Sequence, residues 1–139
     1  MTAAVETRTF GVSSAEVGAI DGWVEQIATQ WGENQRTVFR TRLCIAELAA
    51  NVLEHGSARS GDDHIVVTLR RFGDGIGVEL LDSGAAFDPT VEMAAANADS
   101  IESLPAGGRG LPLLRAYAKD LSYRNDGTCN RVTLKINSA

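Results

Sequence analysis

From Gln35 to His55 the chain reads QRTVFRTRLCIAELAANVLEH, and its apolar positions recur at helical spacing around most of the circumference. Projected at about 100° per residue, Val38, Phe39, Leu43, Ile45, Leu48, Val52 and Leu53 occupy much of the wheel. Glu47, Asn51, Glu54 and His55, with Arg40, fall in one sector of about 100°. A helix with so narrow a polar stripe must be covered by other elements on several sides. The stripe has two readings: the wet side of a core helix, or the floor of a site faced by a second element.

The other elements follow from turn and cap signals. Thr7 to Val12 is short and β-prone, and Ser13 with Glu16 three residues on is a capping box. The pattern predicts a first helix from about Ser14 to Trp31, with Val17, Ile20, Val24 and Ile27 on one side and Gly32-Glu33-Asn34 breaking it. After the main helix, Gly56 and the polar loop SARSGDD intervene. His64 to Arg71 and Ile76 to Asp82 then read as antiparallel strands around an Asp-Gly turn. A third helix is expected from Gly110 to Ala118, with Pro112 tolerated in its first turn. Leu121 to Asn125 and Arg131 to Ile136 form a second hairpin around Asn-Asp-Gly. This order predicts a two-layer α/β sandwich, a mixed, mostly antiparallel sheet with helices on one face.

At 139 residues and 44% hydrophobic content the chain suits one domain with one core. A net charge of −5 with scattered basic residues argues against a nucleic-acid partner. The polar start containing Glu6 and Arg8 does not read as a signal peptide, and no run is long enough to span a bilayer, so a cytoplasmic location is expected. Cys44 and Cys129 cannot make a disulfide framework and read as reduced, structural thiols.

Two segments could face the polar stripe. In LLDSGAAFDP an apolar strand ends at Asp82, followed by Gly84; a carboxylate there can accept a hydrogen bond from an exocyclic amine, and a glycine lets backbone approach a flat ring. The alternative is an aspartate capping its own loop. In GGRGL, from Gly107 to Leu111, glycines free backbone N–H groups to surround an anion at a helix N-terminus, and Arg109 adds charge. This turn matches neither the P-loop nor the dinucleotide fingerprint. There is no G-x-S-x-G elbow, and His55 and His64 have no nucleophile at a recognisable spacing. Asp62-Asp63-His64 reads as loop before strand more readily than as a metal site, and Trp23 and Trp31 as packing or partner-contacting residues. From Ser83 to Arg109 no periodicity holds, and a connection that long is usually functional or disordered.

Taken in order, Glu47-x-x-x-Asn51, Asp82-x-Gly84, the long loop and Gly108-x-Gly110-Leu111 resemble the nucleotide-binding boxes of the GHKL ATPases. Within that superfamily ELAANVLEHG, DSGAAFDP and LPAGGRGLPLLRAYAKDLSY look like the anti-sigma factor serine kinases of the RsbW and SpoIIAB type. The resemblance covers nearly the whole chain. It implies a Bergerat-type α/β sandwich that binds ATP and Mg²⁺, holds a sigma factor, phosphorylates a serine of a STAS-domain anti-anti-sigma protein, and forms a homodimer.

Carried to matching positions, the resemblance implies Glu47 as general base, Asn51 as Mg²⁺ ligand, and Asp82 as reader of the adenine amine with Gly84 beside the base. His55, Phe87, Gly107, Gly108, Arg109, Gly110 and Leu111 complete the implied ATP contacts, and about 89–107 would be the ATP lid. Glu54 receives no role and is expected to be solvated. Many relatives begin the last strand with Gly-Thr-Thr, where Cys129-Asn130-Arg131 stands here; Thr128 or Thr133 are candidates to supply the missing hydroxyl. The competing reading is a nucleotide-gated binding module of a partner switch without transfer. A detached sensor-kinase module is less favoured, since no substrate-histidine helix pattern precedes the domain.

Overall fold

The computed structural model describes residues 4–55, 63–83, 110–127 and 129–138, with only the backbone at 55 and 110–113. The order is β1 (Val5–Gly11), α1 (Ser14–Gln30), α2 (Gln35–His55), β2 (His64–Phe72), β3 (Gly75–Asp82), α3 (Gly110–Tyr117), β4 (Lys119–Asn125) and β5 (Asn130–Asn137). Every expected element is present, most of them shifted at their ends by one or two residues.

The caps explain the helix limits. Glu16 N donates to Ser13 Oγ at 3.2 Å, and the Glu16 carboxylate in turn accepts from Gly11 N at 3.2 Å. Gly32 adopts φ +78°, and its N–H and that of Glu33 turn back to Thr29 and Ala28 carbonyls at 3.0 and 3.2 Å, closing α1. Asn34, read as part of the break, is also the start of α2: its Oδ1 accepts from Thr37 N at 2.8 Å.

Five strands form one sheet in the order β1-β2-β3-β5-β4, and all four pairings are antiparallel. The expected mostly antiparallel sheet is antiparallel throughout among the described residues: both hairpins are local, and β5 pairs with β3 running against it. At the first hairpin a Cβ on Gly75 would lie 2.1 Å from the Ile136 carbonyl oxygen, so only glycine permits the approach.

Alternation puts Ile65, Val67, Leu69, Ile76, Val78, Leu80, Val132, Leu134 and Ile136 on the face beneath the helices. On the other face, Thr7 meets Thr68 at 3.0 Å and Ser122 meets Thr133 at 2.6 Å. α2 packs on β3 and β5 and lies between α1 and α3. Ile20, Val24 and Ile27 are buried as expected, and Trp23 packs edge-on to Phe10 with centroids 5.8 Å apart. Phe39 departs from the expectation: it is 56% exposed, because one residue beyond buried Val38 the helix has turned about 100° away from the sheet.

Candidate functional site

The core contains few polar side chains. Thr37, Thr41, Asn51, Asp82 and Asn130 are the buried polar residues among those described. Thr41 Oγ donates to the Thr37 carbonyl of its own helix at 2.8 Å. The other three belong to the candidate site, and each sits at an element's end: Asn51 in the last turns of α2, Asp82 closing β3 and Asn130 opening β5.

Glu47 and Asn51 lie one helical turn apart, hence on one face of α2. Both are only partly satisfied: Glu47 Oε1 and Asn51 Nδ2 are buried atoms without a hydrogen-bond partner. Such atoms are costly to bury, which makes them candidates for meeting a ligand. Burial pushes the Glu47 carboxyl above the usual carboxylate range, and the Glu54 charge adds to the effect. Glu54 is exposed, as expected, but it is not electrically idle: its charge raises the Glu47 carboxyl further.

Asp82 is 6% exposed and faces the helices with Val78 and Leu80. Its cross-strand neighbour on β5 is Asn130, 2% exposed, whose Nδ2 donates to Asp82 Oδ1 at 3.1 Å. Asn130 Oδ1 in turn accepts from Tyr123 O–H at 2.5 Å and from Asn125 Nδ2 at 2.9 Å. The hydroxyl expected from Thr128 or Thr133 is therefore not what Thr133 provides, since that hydroxyl pairs with Ser122 on the opposite face; Thr128 lies outside the described residues. Asn130 supplies the donor instead. Sequence reasoning missed it because the pairing of β3 with β5 joins positions 48 apart; only the parity of β5, with apolar Val132, Leu134 and Ile136, hinted that Asn130 points inward.

α3 packs beside α2, and its last residue reaches the early turns of that helix. The Arg40 guanidinium lies over the Tyr117 ring, 4.7 Å from its centroid. Gly110 and Leu111 are in the first turn of α3, and His55 ends α2, as backbone positions. Gly84, Phe87, Gly107, Gly108, Arg109 and the segment 89–107 lie outside the described residues, as does Asp62. Asp63 accepts from Ser83 Oγ at 3.1 Å, linking the start of β2 to the end of β3. No group of three His, Cys, Asp or Glu side chains gathers as a metal site among the described residues, and no helix there is long and apolar enough to cross a membrane.

A helical layer on one face of an antiparallel sheet, with buried polar side chains on α2, β3 and β5 among the described residues, defines a two-layer α/β protein with a candidate interlayer site. Residues 11–136 match the histidine kinase-like ATPase domain, and the chain belongs to that family. It is 32% identical over 136 residues to the serine/threonine-protein kinase BtrW of Bordetella bronchiseptica, covering 96% of each. Among solved structures, the RsbU and RsbW domains of Rv1364c from Mycobacterium tuberculosis share the fold with a TM-score of 0.65 at 14% identity, over 96% of this chain and 32% of that one. The catalytic domain of the histidine kinase ThkA gives a TM-score of 0.50 at 14% identity, over 96% and 97% of the two chains.

Proposed function

We propose that this chain is an ATP-dependent protein serine kinase and anti-sigma factor, which binds a sigma factor and phosphorylates a STAS-domain anti-anti-sigma protein. The observation that carries the reading is the α2 face where Glu47 Oε1 and Asn51 Nδ2 are buried without partners one turn apart. Membership of the histidine kinase-like ATPase family and the likeness to a relative named as a serine/threonine kinase support it.

In this reading Asp82 accepts the adenine amine, and Asn51 turns its amide toward the phosphates. A nucleotide suits the cluster, since a phosphate oxygen gives Asn51 Nδ2 the acceptor it lacks. Mg²⁺ suits it too: the ion takes most of its oxygens from phosphate and water, so one amide oxygen from Asn51 is a sufficient protein contribution. When bound, Mg²⁺ neutralises charge on the transferring phosphoryl group. Glu47 orients the serine hydroxyl and takes its proton at Oε1, a role that its burial favours by keeping the carboxylate basic. Segment 89–107 serves as the lid, Gly84 and Phe87 border the base, and Gly107, Gly108, Arg109, Gly110 and Leu111 surround the phosphates, with His55 at the helix end. A homodimer is the assembly proposed.

The test is incubation of the pure protein with Mg-ATP and its cognate STAS protein, followed by intact mass. The expected result is one added phosphate on the STAS protein, lost in Glu47→Gln while ATP binding persists. An unmodified STAS protein despite tight ATP binding would instead identify a nucleotide-gated binding module.

A further inference from the structure

Asp82, Asn130 and Asn125 form one rung across three strands: Asp82 of β3 is opposite Asn130 of β5, which is opposite Asn125 of β4. The rung begins in the β4–β5 turn, where Gly127 N donates to Asn125 Oδ1 at 2.8 Å. A backbone N–H can only donate, so that bond fixes which end of the Asn125 amide faces the turn. Asn125 Nδ2 is then directed at Asn130, at 2.9 Å from its Oδ1, and Tyr123 O–H adds a second donor to the same oxygen. With its oxygen so occupied, Asn130 can present only N–H to Asp82, a side chain whose carboxylate form only accepts. Each step fixes the orientation of the next.

We propose that Asn130 is a positioning residue for nucleobase selection, held in one amide orientation by the β4–β5 turn through Asn125 and Tyr123, so that Asp82 is presented as an acceptor to a purine carrying an exocyclic amine. The inference rests on the reading of Asp82 as the base-recognising carboxylate. Asn125 is exposed, but Asp82 and Asn130 are 6% and 2% exposed, so at their end of the relay water cannot readily replace a lost donor. Disturbing the relay therefore lets the carboxylate rotate away from the orientation that meets the amine. The loss is confined to ligands that possess that amine.

The test compares the binding of ATP and of purine riboside triphosphate, which lacks the amine, to the intact protein by calorimetric titration. Wild type is expected to favour ATP by roughly tenfold or more, the value of one hydrogen bond to a charged group. Asn130→Ala should erase most of that preference, with a much smaller loss for purine riboside triphosphate than for ATP. Asn125→Asp retains the acceptor for Gly127 N but removes the donor to Asn130, and should reduce the preference by about threefold, a part of the hydrogen bond's value. If both variants keep the wild-type preference, or lose the two nucleotides equally, the positioning role is overturned. If wild type itself binds the two nucleotides equally, the reading of Asp82 fails, and the inference with it.

Discussion

The guanidinium of Arg40 lies 4.7 Å from the centroid of the Tyr117 ring and joins the last residue of α3 to the second turn of α2. α3 runs from Gly110 to Tyr117, so this contact anchors the end of the helix opposite the N-terminus proposed to face the phosphates. Tyr117→Leu is expected to cost about 0.5–1 kcal/mol in chemical denaturation, the range for a part-exposed cation–π pair. ATP affinity should change little, since the contact lies at the end of α3 remote from Gly110; a marked loss would show that this anchor positions the whole helix.

The raised Glu47 carboxyl carries a pH signature. Its folded pKa lies above its unfolded one, so the folded state holds the proton longer. Stability from this group is therefore complete at acid pH and is lost as pH rises from the ordinary carboxylate range through the folded pKa. Glu47→Gln should be more stable than wild type at pH 7, with the gap closing toward pH 4, by denaturant unfolding at both pH values. The acid limb of phosphoryl transfer should likewise lie above the usual carboxylate range and move down in Glu54→Gln, since the Glu54 charge is the second cause of the shift. An unmoved limb would remove Glu54 from the site's electrostatics.

Arg42 of α2 makes paired bonds to Asp21 of α1, at 3.0 and 2.8 Å, and also meets Glu25. The Arg42 hydrogen bonds hold the Asp21 carboxyl below its ordinary value. This contribution is present above the unfolded pKa of Asp21 and disappears as pH falls through the folded one. The groups are part-exposed, so screening limits the effect: Asp21→Asn is expected to cost under about 1 kcal/mol at neutral pH, and less in 1 M salt. Thermal unfolding across a salt series checks it.

Gly75→Ala forces a methyl group against the Ile136 carbonyl at a junction of β3 and β5. Overpacking of backbone that cannot yield should cost about 3 kcal/mol. Gly73→Ala, in the same turn but with nothing within 4 Å of its added Cβ, should remain within about 0.5 kcal/mol of wild type. Equal losses in the two variants would show that turn conformation, not the carbonyl contact, requires glycine.

Cys44 is fully buried, and desolvation pushes its thiol up to about 12. At pH 8 it should stay unalkylated in the folded protein and react only after unfolding, as read by intact mass. Rapid labelling under native conditions would mean that α2 opens locally.

Much of this architecture is written in local sequence. Ser13 with Glu16, Gly32, the Asp-Gly turn and the periodicity of 35–55 act over a few residues, and each forms the element its chemistry predicts. Glu47 and Asn51 were legible for the same reason, because four residues of helix bring them to one face without help from the fold. Phe39 shows where helical periodicity stops: it identifies an apolar position, not which neighbour will cover it. The direction of the sheet and the partner of Asp82 were decided by tertiary structure. Asn130 reaches Asp82 only because β5 pairs with β3 in one particular register, and a slip of one residue would turn its amide to the opposite face. That register follows from burying Val132, Leu134 and Ile136 beneath the helices, a free-energy balance of the whole sheet that no local stretch contains.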